Sequence, residues 1–193
     1  MAGYIGSKAV LLSTTAAEVS GDADIGGSVL VDTIKADNGT TAMTIDSSGH
    51  VTMPNQPAFL VRPSGTQSNV SINASTTIIF GTEVYDQNSD FSSNTFTAPV
   101  TGKYLLSAVI RVDSMDLDTT YYSLKIATSN ATFHHLKSTN HWDADPSYYQ
   151  MVVTIVADMD ASDTAIVMIE IPNNGAAQAD ISEFSYFSGA LLC

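Results

Sequence analysis

The segment that most constrains this chain is Phe96-Thr97-Ala98-Pro99-Val100-Thr101-Gly102-Lys103-Tyr104, together with the run that follows it. Phe96 ends one apolar stretch, and Pro99 and Gly102 punctuate a turn. Beyond the turn the chain alternates, with Tyr104, Leu106, Ala108, Ile110 and Val112 on one face and Ser107 and Arg111 on the other. Period-two alternation of this kind predicts a half-buried strand entered through a tight turn.

The rest of the chain from Pro57 onward reads the same way. Strands are predicted near 58–62, 76–80, 94–98, 103–113, 120–128, 132–138, 148–158, 164–171 and 182–192, separated by Gly, Asn, Asp and Pro. No stretch carries helical periodicity, so the predicted class is all-β, a sandwich or jelly roll. Several strands also carry a second apolar face: Leu105 and Val109, Val152 and Val156, Ile166 and Met168. An antiparallel sandwich ordinarily keeps its outward positions polar. These six residues are therefore expected to face neighbouring subunits, although a central strand covered by a loop would show the same pattern.

The Phe96 to Tyr104 segment resembles the signature of the C1q/TNF-like domain, and other segments fit in order. Pro57-Ala58-Phe59, Ile78-Ile79-Phe80, Val84-Tyr85-Asp86 and Asp90-Phe91 precede or flank it, and Phe187-Ser188-Gly189-Ala190-Leu191-Leu192 closes it. The resemblance covers residues 57–193 and implies a jelly roll that assembles as a compact trimer. It departs from the family where Leu124-Lys125 runs on as Ile126-Ala127-Thr128 instead of an Asn-Gly turn. No collagen-like Gly-x-y repeat precedes it, unlike the complement-type members.

The first 56 residues differ in texture. Short β-like pieces with Gly between them, such as Gly21-Asp22-Ala23-Asp24-Ile25-Gly26-Gly27, Val29-Leu30-Val31-Asp32 and residues 43–53, offer two or three aliphatics each. Ordering a residue costs about 1–2 kcal/mol of backbone entropy, and a buried aliphatic returns about 1.5–3 kcal/mol. Such a segment is not expected to fold alone, which leaves two readings open: three copies wound round one axis that share a core, or a disordered or loosely attached N-terminal arm. Ile45-Asp46-Ser47-Ser48-Gly49-His50-Val51 resembles the short repeats in the shafts of bacteriophage tail fibres. Gly3-Tyr4-Ile5-Gly6 resembles the N-terminal anchors of marine phage fibre proteins. Pro54 and Pro57 mark the expected boundary between a stalk, residues 1–56, and a head, residues 57–193.

Charge narrows the function. Seven basic residues stand against 20 acidic ones, a net charge of −13, which repels nucleic acid and anionic membranes. Charged residues make up only 14% of the chain, so its surface bonds through hydroxyls and amides more than through ions. The start has one late positive charge and an apolar run of only Ala9 to Leu12. That is too short for a secretory signal or for a span of about 20 apolar residues. The expected location is a virion assembled from protein made in the host cytoplasm. Cys193 is the single cysteine, so no disulfide forms within the chain, and a crosslink between chains and a terminal apolar residue are both open readings.

Candidate sites are few. Asp113, Asp116 and Asp118 gather carboxylates on one turn, an arrangement open both to calcium, the one cofactor considered, and to a plain solvated acidic turn. His134, His135, His141, Asp143 and Asp145 are the nearest approach to a transition-metal set, but adjacent strand residues face opposite ways, so His134 and His135 do not serve one ion. Trp142, Asp143, Tyr148 and Tyr149 pair aromatics with a carboxylate beside Asn140, chemistry that suits stacking on a sugar, although such aromatics also serve as core lids. No Gly-x-Ser-x-Gly elbow, phosphate loop or Cys-His pair is present, and Asp158, Asp160 and Asp163 lie in a turn, so no enzyme is expected. The sequence thus points to a homotrimeric phage fibre or spike protein. Its N-terminal segment would meet other virion proteins and its head a host-surface glycan or protein. A capsid-decorating fibre and a secreted C1q-like lectin are the alternatives.

Overall fold

The computed structural model describes residues 29–172 and 178–193, so the Gly3 to Gly6 anchor and the piece at 21–27 lie outside it. The described residues form 16 strands and no helix. None of them forms a helix long and apolar enough to cross a membrane. Residues 33–193 form the larger of two units of the chain.

The larger unit begins with a three-stranded antiparallel meander, β1 (Thr33–Lys35), β2 (Thr41–Ile45) and β3 (Val51–Thr52). The turn from β2 to β3 is built by Asp46. Its Oδ1 accepts the Ser48 and His50 amides at 2.8 and 2.9 Å, its Oδ2 meets His50 Nδ1 at 2.8 Å, and Gly49 takes a φ of 84°. No residue of the three strands is buried.

Two larger sheets then face each other. The seven-stranded sheet runs β5 (Gln67–Val70), β15 (Ala179–Ile181), β10 (Gly102–Asp113), β16 (Tyr186–Leu191), β4 (Ala58–Arg62) and β7 (Thr82–Gln87), with β13 (Tyr148–Met159) on the other side of β10. The six-stranded sheet runs β12 (Thr132–Ser138), β11 (Tyr121–Thr128), β14 (Thr164–Glu170), β9 (Thr95–Thr97) and β8 (Phe91–Ser92), with β6 (Ser75–Thr77) also on β14. All pairings are antiparallel.

The alternation of β10 fixes its place. Tyr104, Leu106, Ala108, Ile110 and Val112 are fully buried between the sheets, and the strand lies between β13 and β16. Phenylalanines join the two layers: Phe59 of β4 stacks on Phe96 of β9 and Phe91 of β8 with centroids 4.7 and 5.3 Å apart, and meets Phe187 of β16 edge-on at 5.0 Å. Offset and edge-on ring pairs add about 0.5–1.5 kcal/mol each beyond their buried area.

The Phe96 to Tyr104 segment closes the sandwich at one corner. Ala98 exchanges backbone hydrogen bonds with the 160–163 turn, and the Tyr104 hydroxyl donates to the Val100 carbonyl at 2.7 Å. Gly102 is small because β16 runs over it; a Cβ there would lie 2.6 Å from both the Cys193 carbonyl oxygen and Leu191 Cδ1. β16 itself begins at Tyr186, not at 182 as the apolar run suggests. Residues 182–185 turn out of the sheet, with Ser185 Oγ accepting the Arg111 amide at 3.0 Å and the Arg111 carbonyl accepting the Ser182 amide at 3.0 Å.

Two tests follow. A Cβ at Gly189 would lie 2.5 Å from Phe59 Cε1 and 2.7 Å from Leu106 Cδ2. Gly189→Ala should therefore cost about 1–3 kcal/mol in urea unfolding, the usual size of overpacking. Asp90 Oδ2 is buried with no hydrogen-bond partner among the described residues, and burial, then the Asp86 carboxylate, pushes the Asp90 pKa up. A raised folded pKa means stability is fully present below the unfolded pKa and is lost as pH rises through the folded one. Asp90→Asn should thus unfold at higher urea than the unchanged protein near neutrality, and the difference should vanish in acid.

Candidate interaction surfaces

Strand direction gives the head two distinct ends. At one end, Gln87 Nε2 donates to the Met53 and Pro54 carbonyls at 2.9 and 2.7 Å, Gln56 Nε2 to the Leu191 carbonyl at 3.4 Å, and Asn55 Nδ2 to the Thr41 carbonyl at 2.8 Å. These bonds seat the β1–β3 meander beside the starts of β4 and β10 and the end of β16. At the far end, where Asp113 pairs with Tyr148 and Asp180, lie the loops at 114–120, 139–147 and 182–185.

The far-end loops are tied to one another. Tyr122, fully buried, accepts the Asp116 amide at 2.7 Å through its hydroxyl, whose pKa burial pushes up. Asp145 Oδ1 accepts the Leu117 amide at 3.0 Å, and the Ser147 carbonyl accepts the Ser114 amide at 3.0 Å. The three aspartates singled out for calcium do not converge. Asp113 Oδ1 accepts Arg111 Nε at 2.6 Å, and Asp116 Oδ1 accepts the Asp118 amide within its own turn at 2.8 Å. Among the described residues no group of three or more His, Cys, Asp or Glu is placed to hold a metal. His134 and His135 point apart as strand geometry requires: His134 Nδ1 lies 3.2 Å from Ser123 Oγ, and His135 Nδ1 lies 2.8 Å from the Val152 carbonyl oxygen. His141 is exposed in the 139–147 loop.

The four residues chosen for ligand contact fall into two groups on opposite sides of β13. Trp142 is half-buried between Tyr122 and Tyr149, with both centroid distances 6.2 Å, and Lys137 Nζ sits 5.6 Å from the Trp142 ring and 4.8 Å from that of Tyr149. Its ring faces are thus largely taken by protein, while neighbouring Asp143 is exposed. Tyr148, 62% exposed, lies on the other side, with the Arg111 guanidinium 4.5 Å above its ring. The same guanidinium is 5.4 Å from Phe184, which is 66% exposed. Sequence reasoning missed Phe184 because it sits in what reads as a continuous strand.

The two outer faces of the sandwich differ in polarity. On the seven-stranded sheet Leu105 pairs with Val156, and Val109 pairs with Val152 and Tyr186, which makes a cross-strand apolar patch. A shallow cavity of about 330 Å³ beside it is lined by Leu60, Arg62, Val84, Phe184 and Tyr186. Leu105 and Val156 are 39% and 55% exposed. Ile166 and Met168 lie elsewhere: they are half-buried on the outer face of the six-stranded sheet, where Met168 pairs with Lys125 and Thr77. The six residues expected at subunit contacts therefore occupy opposite faces. The face that holds Met168 is polar, with Lys125 Nζ bonded to Glu170 Oε2, and this bond first of all holds the Glu170 carboxyl below its ordinary range.

No family model matches the sequence, and no curated protein matches it. Solved structures do. The globular domain of zebrafish complement 1qA protein is similar with a TM-score of 0.50 at 19% identity, over 71% of this chain and 98% of that one. Murine APRIL is similar with a TM-score of 0.52 at 15% identity, over 71% of this chain and 99% of that one. At such identities the likeness speaks for the fold, which is a C1q/TNF-like jelly roll.

Proposed function

We propose that the protein is a non-enzymatic, homotrimeric structural protein of a bacteriophage virion, of tail-fibre or spike type. Residues 1–56 join other virion proteins and form an intertwined stalk, and the jelly-roll head of residues 57–193 attaches to the host surface. The observation that carries this reading is the β1–β3 meander, in which no residue is buried while Ile34 and Val51 stand in water, as does Met53 beside them. A two- or three-stranded unit needs a packed apolar face to persist. Two further copies of the same segment supply one, each covering the others' aliphatics.

The apolar face of the seven-stranded sheet supports the same stoichiometry. Contiguous exposed patches of this kind mark contact sites, and Leu105, Val152, Val156 and Tyr186 are covered when heads assemble about a common axis. The meander joins the head at the end opposite the 114–120, 139–147 and 182–185 loops, so those loops point away from the meander. Loops on a rigid sandwich carry recognition. Three equivalent heads turn individually weak contacts into effective attachment.

Light scattering should give about three times the 20.4 kDa chain mass. Val156→Asp, at a position 55% exposed in the single chain, should make the trimer dissociate at lower urea; a trimer of unchanged stability would refute the proposed face. Labelled copies should be found on the tail of phage particles by electron microscopy. Labels on the capsid shell would overturn host attachment.

A further inference from the structure

A groove of about 470 Å³ lies on the outer face of the six-stranded sheet, between β11, β12 and β14. It falls in the size range of small-molecule sites, about 300–1,000 Å³. The strands, not loops, build it: one cross-strand row sets Leu136 beside Ser123 and Ser123 beside Glu170, with Tyr121 and His134 in adjoining positions. Leu136 is 62% exposed, an aliphatic side chain standing in water on the face that also carries Ile166 and Met168.

The polar groups of the groove are held from behind. Ser123 is buried and its Oγ lies 3.2 Å from His134 Nδ1, which orients the imidazole. Lys125 Nζ bonds Glu170 Oε2 and lies 3.0 Å from Ser75 Oγ. Each lock uses one atom of the group it holds. His134 Nε2 and Glu170 Oε1 are left without a partner among the described residues, already oriented for a ligand.

Charge then selects the ligand class. An anion would meet the Glu170 carboxylate and the field of a chain with net charge −13. A cation would find that carboxylate already neutralised by Lys125. What fits is an uncharged molecule with a C–H face for Tyr121 and Leu136 and hydroxyls for the carboxylate oxygen, the imidazole, Ser138 and Thr120. We propose that this groove binds a neutral pyranose sugar of a host-surface glycan, with Glu170 and His134 hydrogen-bonding its hydroxyls. This deepens the attachment reading and rests on it for the source of the sugar. The six-stranded face also stays open when heads assemble through the seven-stranded one.

The test uses the full chain with methyl α-glucoside, α-galactoside, α-mannoside and N-acetylglucosaminide as probes. Saturation-transfer NMR should detect at least one of them, and titration should show binding weakened about tenfold or more by Glu170→Gln and by Tyr121→Ala. Leu136→Glu, at an exposed position that does not threaten the fold, should abolish it. No signal from any probe, binding unchanged in all three variants, or preference for a sialoside would each overturn the proposal. Particles carrying Leu136→Glu that still adsorb to host cells would overturn the groove's role while leaving attachment intact. Loss of adsorption by those particles would support both.

Discussion

The ring of Phe59 holds the two sheets together. It comes from β4 in one layer, stacks on Phe91 and Phe96 in the other, and meets Phe187 on its own sheet. Its position requires the absence of a side chain at Gly189, which in turn brings β16 close against Leu106. Tyr104, 5.4 Å from Phe96, extends the same cluster to the central strand and clamps the turn at Val100. Close packing of this kind tolerates little change in volume, and for that reason the small residues of the signature are as informative as the large ones.

Around this core the two outer faces differ in chemistry. One is a cross-strand patch of Leu105, Val109, Val152, Val156 and Tyr186; the other is a hydrogen-bonded ladder of Ser123, His134, Lys125, Glu170 and Ser75. An antiparallel sheet normally turns one face to the core and one to water. The six-stranded sheet comes nearer to that rule, since Leu136, Ile166 and Met168 share its outer face with polar groups, and the difference underlies the separate proposals made for the two faces.

Strands with strong alternation were legible in the sequence. The structure matches 58–62 and 132–138 to the residue, and places β10 and β11 within one residue of their expected starts. β5 was not legible, because Gln67-Ser68-Asn69-Val70 offers one apolar residue and Asn69 takes a φ of 56°. The short β15 was not foreseen, and the 182–185 turn was merged into β16, since a two-serine turn that bonds Arg111 leaves no trace in hydropathy. Sites were harder. Proximity in sequence suggested Trp142 and Tyr148 as one platform, yet strand alternation puts Tyr148 and Tyr149 on opposite faces. The groove at Ser123, His134 and Glu170 draws on three separate strands, so no local motif announces it. The net charge and the second apolar faces were visible from the start, but which sheet each apolar residue belonged to depended on pairings between distant strands.

β16 lies in the middle of its sheet, paired with β10 through Tyr104 and Leu191 and with β4 through Phe187 and Val61. During synthesis β4, β10 and β13 emerge well before it, and until residues 186–191 appear the edges of β4 and β10 that meet in the finished head stay unpaired. Exposed strand edges invite wrong partners. A chain stopped short of β16 lacks the strand that joins β10 to β4. A chain without residues 186–191 would present two open strand edges where the finished sheet has none, a surface that favours aggregation over correct folding.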